Sequence, residues 1–129
     1  MANGVSATLA NSWLDALCNA TSYSETNTYA KLHLADPGAA GTTSPCTETT
    51  RKVLSFAAAS GGAISLDTTA SWTSWPAPAN GETVSDISVW DDVSTGNFLY
   101  SANLAANKTL NTGDTFNLTN ITITFTVAS

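Results

Sequence analysis

The stretch from Val84 to Leu104, VSDISVWDDVSTGNFLYSANL, constrains this chain more than any other. Two apolar runs, Ile87 to Trp90 and Phe98 to Tyr100, flank the polar segment Asp91 to Asn97. β-Branched and aromatic residues suit a pleated, half-buried surface, while Asp, Ser, Gly and Asn reverse a chain. The pattern predicts a β-hairpin with a loop of several residues. In its first strand Ile87 and Val89 point one way, Ser88 and Trp90 the other. In its second, Phe98, Tyr100, Ala102 and Leu104 share a face opposite Leu99, Ser101 and Asn103.

Other segments read as strands laid beside this hairpin. Tyr29 to Ala35 alternates Ala30, Leu32 and Leu34 against Tyr29, Lys31 and His33, and Asp36-Pro37-Gly38 ends it in a turn. Arg51 to Ala57, Ala63 to Asp67 and Ser71 to Trp75 follow, the last stopped by Trp75-Pro76-Ala77-Pro78 because Pro cannot donate to a ladder. Trp72 and Trp75, three apart, would fall on opposite faces of a strand. Asn120 to Val127 alternates most cleanly: Ile121, Ile123, Phe125 and Val127 on a buried face, Thr122, Thr124 and Thr126 on a wet one. Gly38 to Thr50 is small and polar and reads as a mobile surface loop. Near the start, Leu9, Trp13, Leu14 and Leu17 recur at helical spacing, predicting an amphipathic helix over about residues 6–19, with Ser6 or Asn11 as its cap. Trp13 and Leu17 are expected to cover one edge of the sheet.

The expected fold is therefore mainly β: an antiparallel, jelly-roll-like β-sandwich of about seven or eight strands with one N-terminal amphipathic helix. The chain of 129 residues is expected to form a single domain over residues 1–129, with the sandwich at about 29–127. Charged residues make up 11% of it, well under the roughly 25% of ordinary soluble domains. Its net charge of −6, with Lys31, Arg51, Lys52 and Lys108 as the cations, would release almost no counterions from a polyanion. No nucleic-acid partner is expected. Nor is a membrane partner, since no apolar run approaches the ~18 residues of a span and no signal peptide is visible. Synthesis in a host cytoplasm follows. Cys18 and Cys46 could pair, although two cysteines at unrelated spacing in a leaderless chain are expected as free thiols.

Catalytic chemistry is hard to find. His33 is the sole histidine and has no zinc-type Cys/His spacing around it. No Gly-x-Ser-x-Gly nucleophile elbow is present. Asp91 and Asp92 are adjacent, with Asp86 nearby and Asp36 and Asp114 in other turns. Paired carboxylates can serve glycoside hydrolysis or bind calcium, but adjacent ones in a turn usually accept turn hydrogen bonds. The Asp-x-Asp-x-Asp-Gly calcium pattern is absent. Asn-x-Ser/Thr triplets at Asn19, Asn107, Asn117 and Asn120 are what an Asn- and Thr-rich chain gives by chance. The Trp residues are either core or a stacking platform for sugar rings; core is the expectation. No catalytic residue, metal ligand or cofactor site is assigned.

Three pieces carry a resemblance: LHLADPG at Leu32 to Gly38, ISVWDDVSTGNFLY at Ile87 to Tyr100, and KTLNTGDTF at Lys108 to Phe116. Their order and spacing resemble a family of small virion proteins of tailed phages, especially those of actinobacteria, described as tail-fibre-like or minor structural proteins. The resemblance implies a non-enzymatic component of a phage particle, located in the virion. It supplies no catalytic residues. Small size without fibrous repeats or heptads then favours a capsid decoration protein that binds the major capsid protein and stabilises the assembled head. The alternative is a tail-tip or tail-fibre module that contacts tail proteins and binds host-surface glycan. A homo-oligomer, as a trimer, is expected in the first case. The docking contacts are expected in the loops Gly38 to Thr50 and Ser74 to Gly81, or else on the helix with Trp13.

Overall fold

The computed structural model describes residues 3–129 and folds them into an antiparallel β-sandwich with one N-terminal helix. Helix α1 (Ala7–Cys18) starts at Ser6, whose backbone is extended and whose side-chain oxygen accepts from the Leu9 N–H at 3.1 Å. That cap satisfies a donor which the first helical turn would otherwise leave orphaned. The helix is 12 residues long, and no helix among the described residues is long and apolar enough to cross a membrane.

The strands are β1 (Thr28–His33), β2 (Lys52–Leu54), β3 (Ala63–Ser65), β4 (Ala70–Trp72), β5 (Glu82–Trp90), β6 (Phe98–Leu110), β7 (Phe116–Leu118) and β8 (Thr122–Thr124). One layer is the sheet β2-β1-β5-β6; opposite it lie two separate ribbons, β3-β8 and β4-β7. The expected hairpin is the β5–β6 pair at the heart of the sheet. Its central strand β5 is flanked on both edges, by β1 and β6.

Residues directly opposite one another in antiparallel strands share a face. On one face Ala30 and Leu32 sit beside Val89 and Ile87, which sit beside Tyr100 and Ala102. This face packs against Trp72, Trp75, Phe116 and Leu118 to form the core. On the other face Tyr29, Lys31 and His33 lie beside Trp90, Ser88 and Asp86. That second face is also covered: Asp86, Ser88 and Trp90 are all buried.

Part of the cover is the segment 38–50, which is tied down and is no mobile loop. Leu34 donates to the Ser44 carbonyl, Cys46 to that of Leu32, and Thr43 to that of Pro37. Gly41, at φ +70°, lies so close to the Phe98 ring that a Cβ there would stand 2.4 Å from a ring carbon. The rest of the cover is the N-terminal segment. Val5 pairs with Tyr100, Ser6 donates to the Leu99 carbonyl, and Ser101 donates to that of Gly4.

The faces differ from the alternation in three places. A register shift between Val89 and Trp90 makes Leu99 an extra residue, so Phe98 opposes Trp90 and no longer shares the Tyr100 face. Ser74, at φ +57°, breaks the segment after β4, and both Trp72 and Trp75 are fully buried on one side. Their indole N–H groups reach the Thr50 carbonyl (2.8 Å) and the Glu82 carboxylate (2.9 Å), as buried tryptophans require. Finally, β8 is only three residues long. Ile121 is buried and Ile123 partly so, but Phe125 and Val127 are 63% and 59% exposed, because the ladder with β3 stops at Thr124 and no layer lies over them.

These burials fix opposite outcomes for two phenylalanines. Phe116 is 5% exposed and in edge contact with Trp72 at 5.8 Å between ring centroids. Phe116→Ala is expected to cost roughly 3–5 kcal/mol, and Phe125→Ala about 1 kcal/mol or less. Urea melts of the two variants check this; equal losses would mean that the C-terminal strand is buried after all.

Candidate functional site

His33, the one residue whose chemistry spans neutral pH, lies fully buried between three elements. Its Nδ1 is 2.7 Å from the Thr43 carbonyl and its Nε2 2.7 Å from Ser88 Oγ. A carbonyl only accepts, so Nδ1 carries the proton. Ser88 Oγ already receives the Trp90 indole N–H at 2.8 Å, so its own hydroxyl donates to Nε2. Every polar atom of this group is thus satisfied with a neutral ring. Burial pushes the imidazole below its usual range, and the nearby Lys31 pushes it the same way; the Thr43 carbonyl and Asp86 oppose them. A histidine beside a serine suggests nucleophilic catalysis, but Ser88 is wholly inaccessible and the third partner is a carbonyl. The arrangement locks the 38–50 segment onto the sheet.

The acidic turns are equally internal in their bonding. Asp92 Oδ1 accepts from the N–H groups of Ser94 and Thr95, both at 2.8 Å. Those backbone donors, Thr95 first, hold its carboxyl down to about 2. Asp91 accepts from the Asn97 backbone and side chain at 2.6 and 2.8 Å. Arg51 closes the loop from below: it stacks over Trp90 at 3.9 Å and donates to the carbonyls of Asp92 and Thr95. Burial lowers its pKa, against the pull of Asp92 and Asp91. Asp86, on the covered face, accepts from Asn3, Asn103 and Ser85. Asp36 caps its turn by accepting from the Gly38 N–H, and Asp114 accepts from that of Asn111. The structure brings none of these carboxylates together. No group of three or more His, Cys, Asp or Glu among the described residues is arranged to hold a metal ion. Cys18 is exposed on α1 and Cys46 lies in the core, both as free thiols.

Two surface features remain. The first is an apolar face. Leu9 is the one buried residue of α1, while Leu14 and Leu17 are 60% and 80% exposed. Leu17 therefore does not cover the sheet edge. Trp13 meets Phe125 edge-on at 5.9 Å, so that α1 and the segment after β8 form one apolar surface. Exposed apolar side chains gathered like this mark interaction sites. The second feature is an open cleft of about 560 Å³ between the two layers. Ile87, Ala102 and Leu104 line it from the sheet, and residues 115–122 form its other wall. It opens where β6 carries four residues, Leu104 to Asn107, that find no partner between the pairs Asn103–Asp86 and Lys108–Val84. Sequence reasoning offered the helix with Trp13 as a docking contact but placed Phe125 and Val127 in the core, and it missed the cleft. The small residues Ala105 and Ala106, which interrupt the alternation of β6, were the signal available for the cleft.

The buried histidine gives a pH dependence. Its folded-state pKa lies below the unfolded value, so the unfolded chain binds the extra proton first. The stability that depends on a neutral His33 is complete above about pH 6.5 and is lost as pH falls from there toward the folded-state pKa. Thermal melts at pH 7.5 and 5.5 should show a lower midpoint at 5.5 for the parent protein, and a smaller change for His33→Gln. An equal drop in both would show that His33 is not the titrating group.

The family model described as "Podophage GP4 fiber I protein gp80" matches residues 4–126. No curated protein matches the chain.

Proposed function

Because this chain belongs to the family of the podophage GP4 fiber I protein gp80 and is a phage structural protein, we propose that it is a non-enzymatic building module of a virion fibre. One observation carries the reading: Leu14 and Leu17 on α1 and Phe125 and Val127 after β8 are more than half exposed, and the two segments meet where the partly buried Trp13 touches Phe125. Such a face is costly in water and gains about 25 cal/mol for each Å² it buries on docking. Its partner is a neighbouring virion protein or another copy, with trimers as the expected closed assembly. The loops 38–50 and 74–81 are weaker candidates for the contact, because Gly41, Cys46, Trp75 and Ala77 point into the protein.

A glycan-binding role has less support. Trp72, Trp75 and Trp90 are buried, which leaves no row of exposed rings for sugars. Trp13 is partly buried and meets Phe125 edge-on, a single pair of rings that presents no flat platform for sugars. The second reading, a decoration protein on the capsid shell, rests on the compact sandwich and on the absence of heptads or fibrous repeats from the sequence. A ligand that binds only assembled shells stabilises them by mass action, about 4 kcal/mol per site at a thousandfold excess over Kd.

Gold-labelled antibody on purified particles separates these readings: label is expected on fibres, and label confined to heads would move the protein to the shell. Particles made without the protein supply the second measurement. Purified parent protein should restore it to the particle, whereas the Leu14→Ser/Leu17→Ser variant should bind at least about tenfold more weakly with an unchanged melting temperature. Equal incorporation of the variant would exclude α1 as the docking face.

A further inference from the structure

The segment Thr122 to Val127 has a strand's alternation, yet only Thr122–Thr124 is paired. Beyond it, Phe125 and Val127 are more than half exposed, the Phe125 N–H donates to the Gly62 carbonyl, and Val127 lies beside Gly62. The sandwich meanwhile lacks a strand elsewhere. The ribbons β4-β7 and β3-β8 are not joined, β7 is paired along one edge only, and beside it lies the open cleft over Ile87, Ala102 and Leu104. Such a place needs main-chain donors and acceptors for the β7 edge, and alternate apolar side chains for the floor. Residues 125–128, Phe-Thr-Val-Ala, which follow the paired Thr124, offer both.

A chain cannot serve its own cleft in this way. Thr122 lines the cleft, and three residues later Phe125 is already at Gly62 and Trp13, leading away from it. We propose that the cleft accepts residues 125–128 of a second copy as an added strand, so that copies join by strand donation. The charges permit it. Each copy carries −6, but the donor segment has no charged residue and Lys108 is the one charged side chain lining the cleft. Donor and acceptor are different surfaces, so the contact is heterologous: repetition gives a closed ring if the rotation closes and an extended array if it does not. In the array each chain's unpaired strand is covered by the next, which removes an edge that would otherwise invite indiscriminate pairing. This inference rests on the reading of the chain as a self-associating virion component, and it adds the mode of association.

The test mixes two full-length variants, both carrying Cys18→Ser: one with Val127→Cys, the other with Thr119→Cys in the cleft wall. Under mild oxidation, a disulfide joining the two variants is the expected product, with little joining like to like. A synthetic peptide of residues 121–129 should suppress it. Analytical ultracentrifugation of Phe125→Asp, whose melting temperature reports an intact fold, should show the concentration for half-association raised at least about tenfold. Absence of the mixed disulfide, or association unchanged in Phe125→Asp, overturns strand donation. Add-back to particles lacking the protein keeps the two readings apart: parent protein that binds particles yet gives no mixed disulfide overturns this inference alone, whereas parent protein that does not bind them overturns the proposed function.

Discussion

Strand β5 is buried on both faces and hydrogen-bonded along both edges, and everything else in the structure follows from satisfying it. On the core side this is simple, because Val84, Ile87 and Val89 need only apolar neighbours and find them in Trp72, Phe116 and Leu118. The opposite side carries Asp86, Ser88 and Trp90, whose polar atoms cannot be buried without partners. His33, Asn103 and Asn3 provide them, and those partners come from β1, β6 and the N-terminal segment. The chain before α1 and the loop after β1 are therefore parts of the core's polar lining, although their composition looks like that of surface segments.

Much of this was legible in the sequence, and the illegible parts share a cause. The central hairpin, the Ser6 cap, the Asp36-Pro37-Gly38 turn and the self-bonded Asp91–Asn97 loop all depend on interactions within a few residues. Alternation goes further only while a strand stays regular. One extra residue at Leu99 reverses Phe98, and one left-handed residue at Ser74 brings Trp75 to the same side as Trp72. Phe125 shows a different limit. Its pattern marks a side chain able to be buried, but burial needs an opposing layer, and no local signal tells whether the rest of the chain supplies one. His33 takes its turn in the alternation of Tyr29 to Ala35, and nothing local reveals that a carbonyl ten positions later and a hydroxyl 55 positions later will enclose it.

For a phage structural protein the division of labour is physical. The acidic and aromatic residues that suggest catalysis are spent on internal order: Asp91 and Asp92 shape a loop, Arg51 braces it against Trp90, and three of the four tryptophans fill the interior. What faces outward is a surface rich in Ser, Thr and Asn with a net charge of −6, and it carries an apolar face and a cleft. Salt screens that charge beyond about 8 Å at physiological ionic strength, so contacts made there depend on shape and buried area.

The placement of the two thiols has a consequence for a particle that leaves its host. Cys46 is in the core, and burial, with Glu82 adding to it, pushes its pKa up to about 12. Almost none of it is thiolate near neutral pH, so oxidants find little to attack. Cys18 is exposed on α1, where the only thiols it can reach belong to other molecules. No disulfide inside the fold is therefore made or broken when the surroundings change from reducing to oxidising. The fold keeps the same covalent structure, and with it the same internal stability, in either.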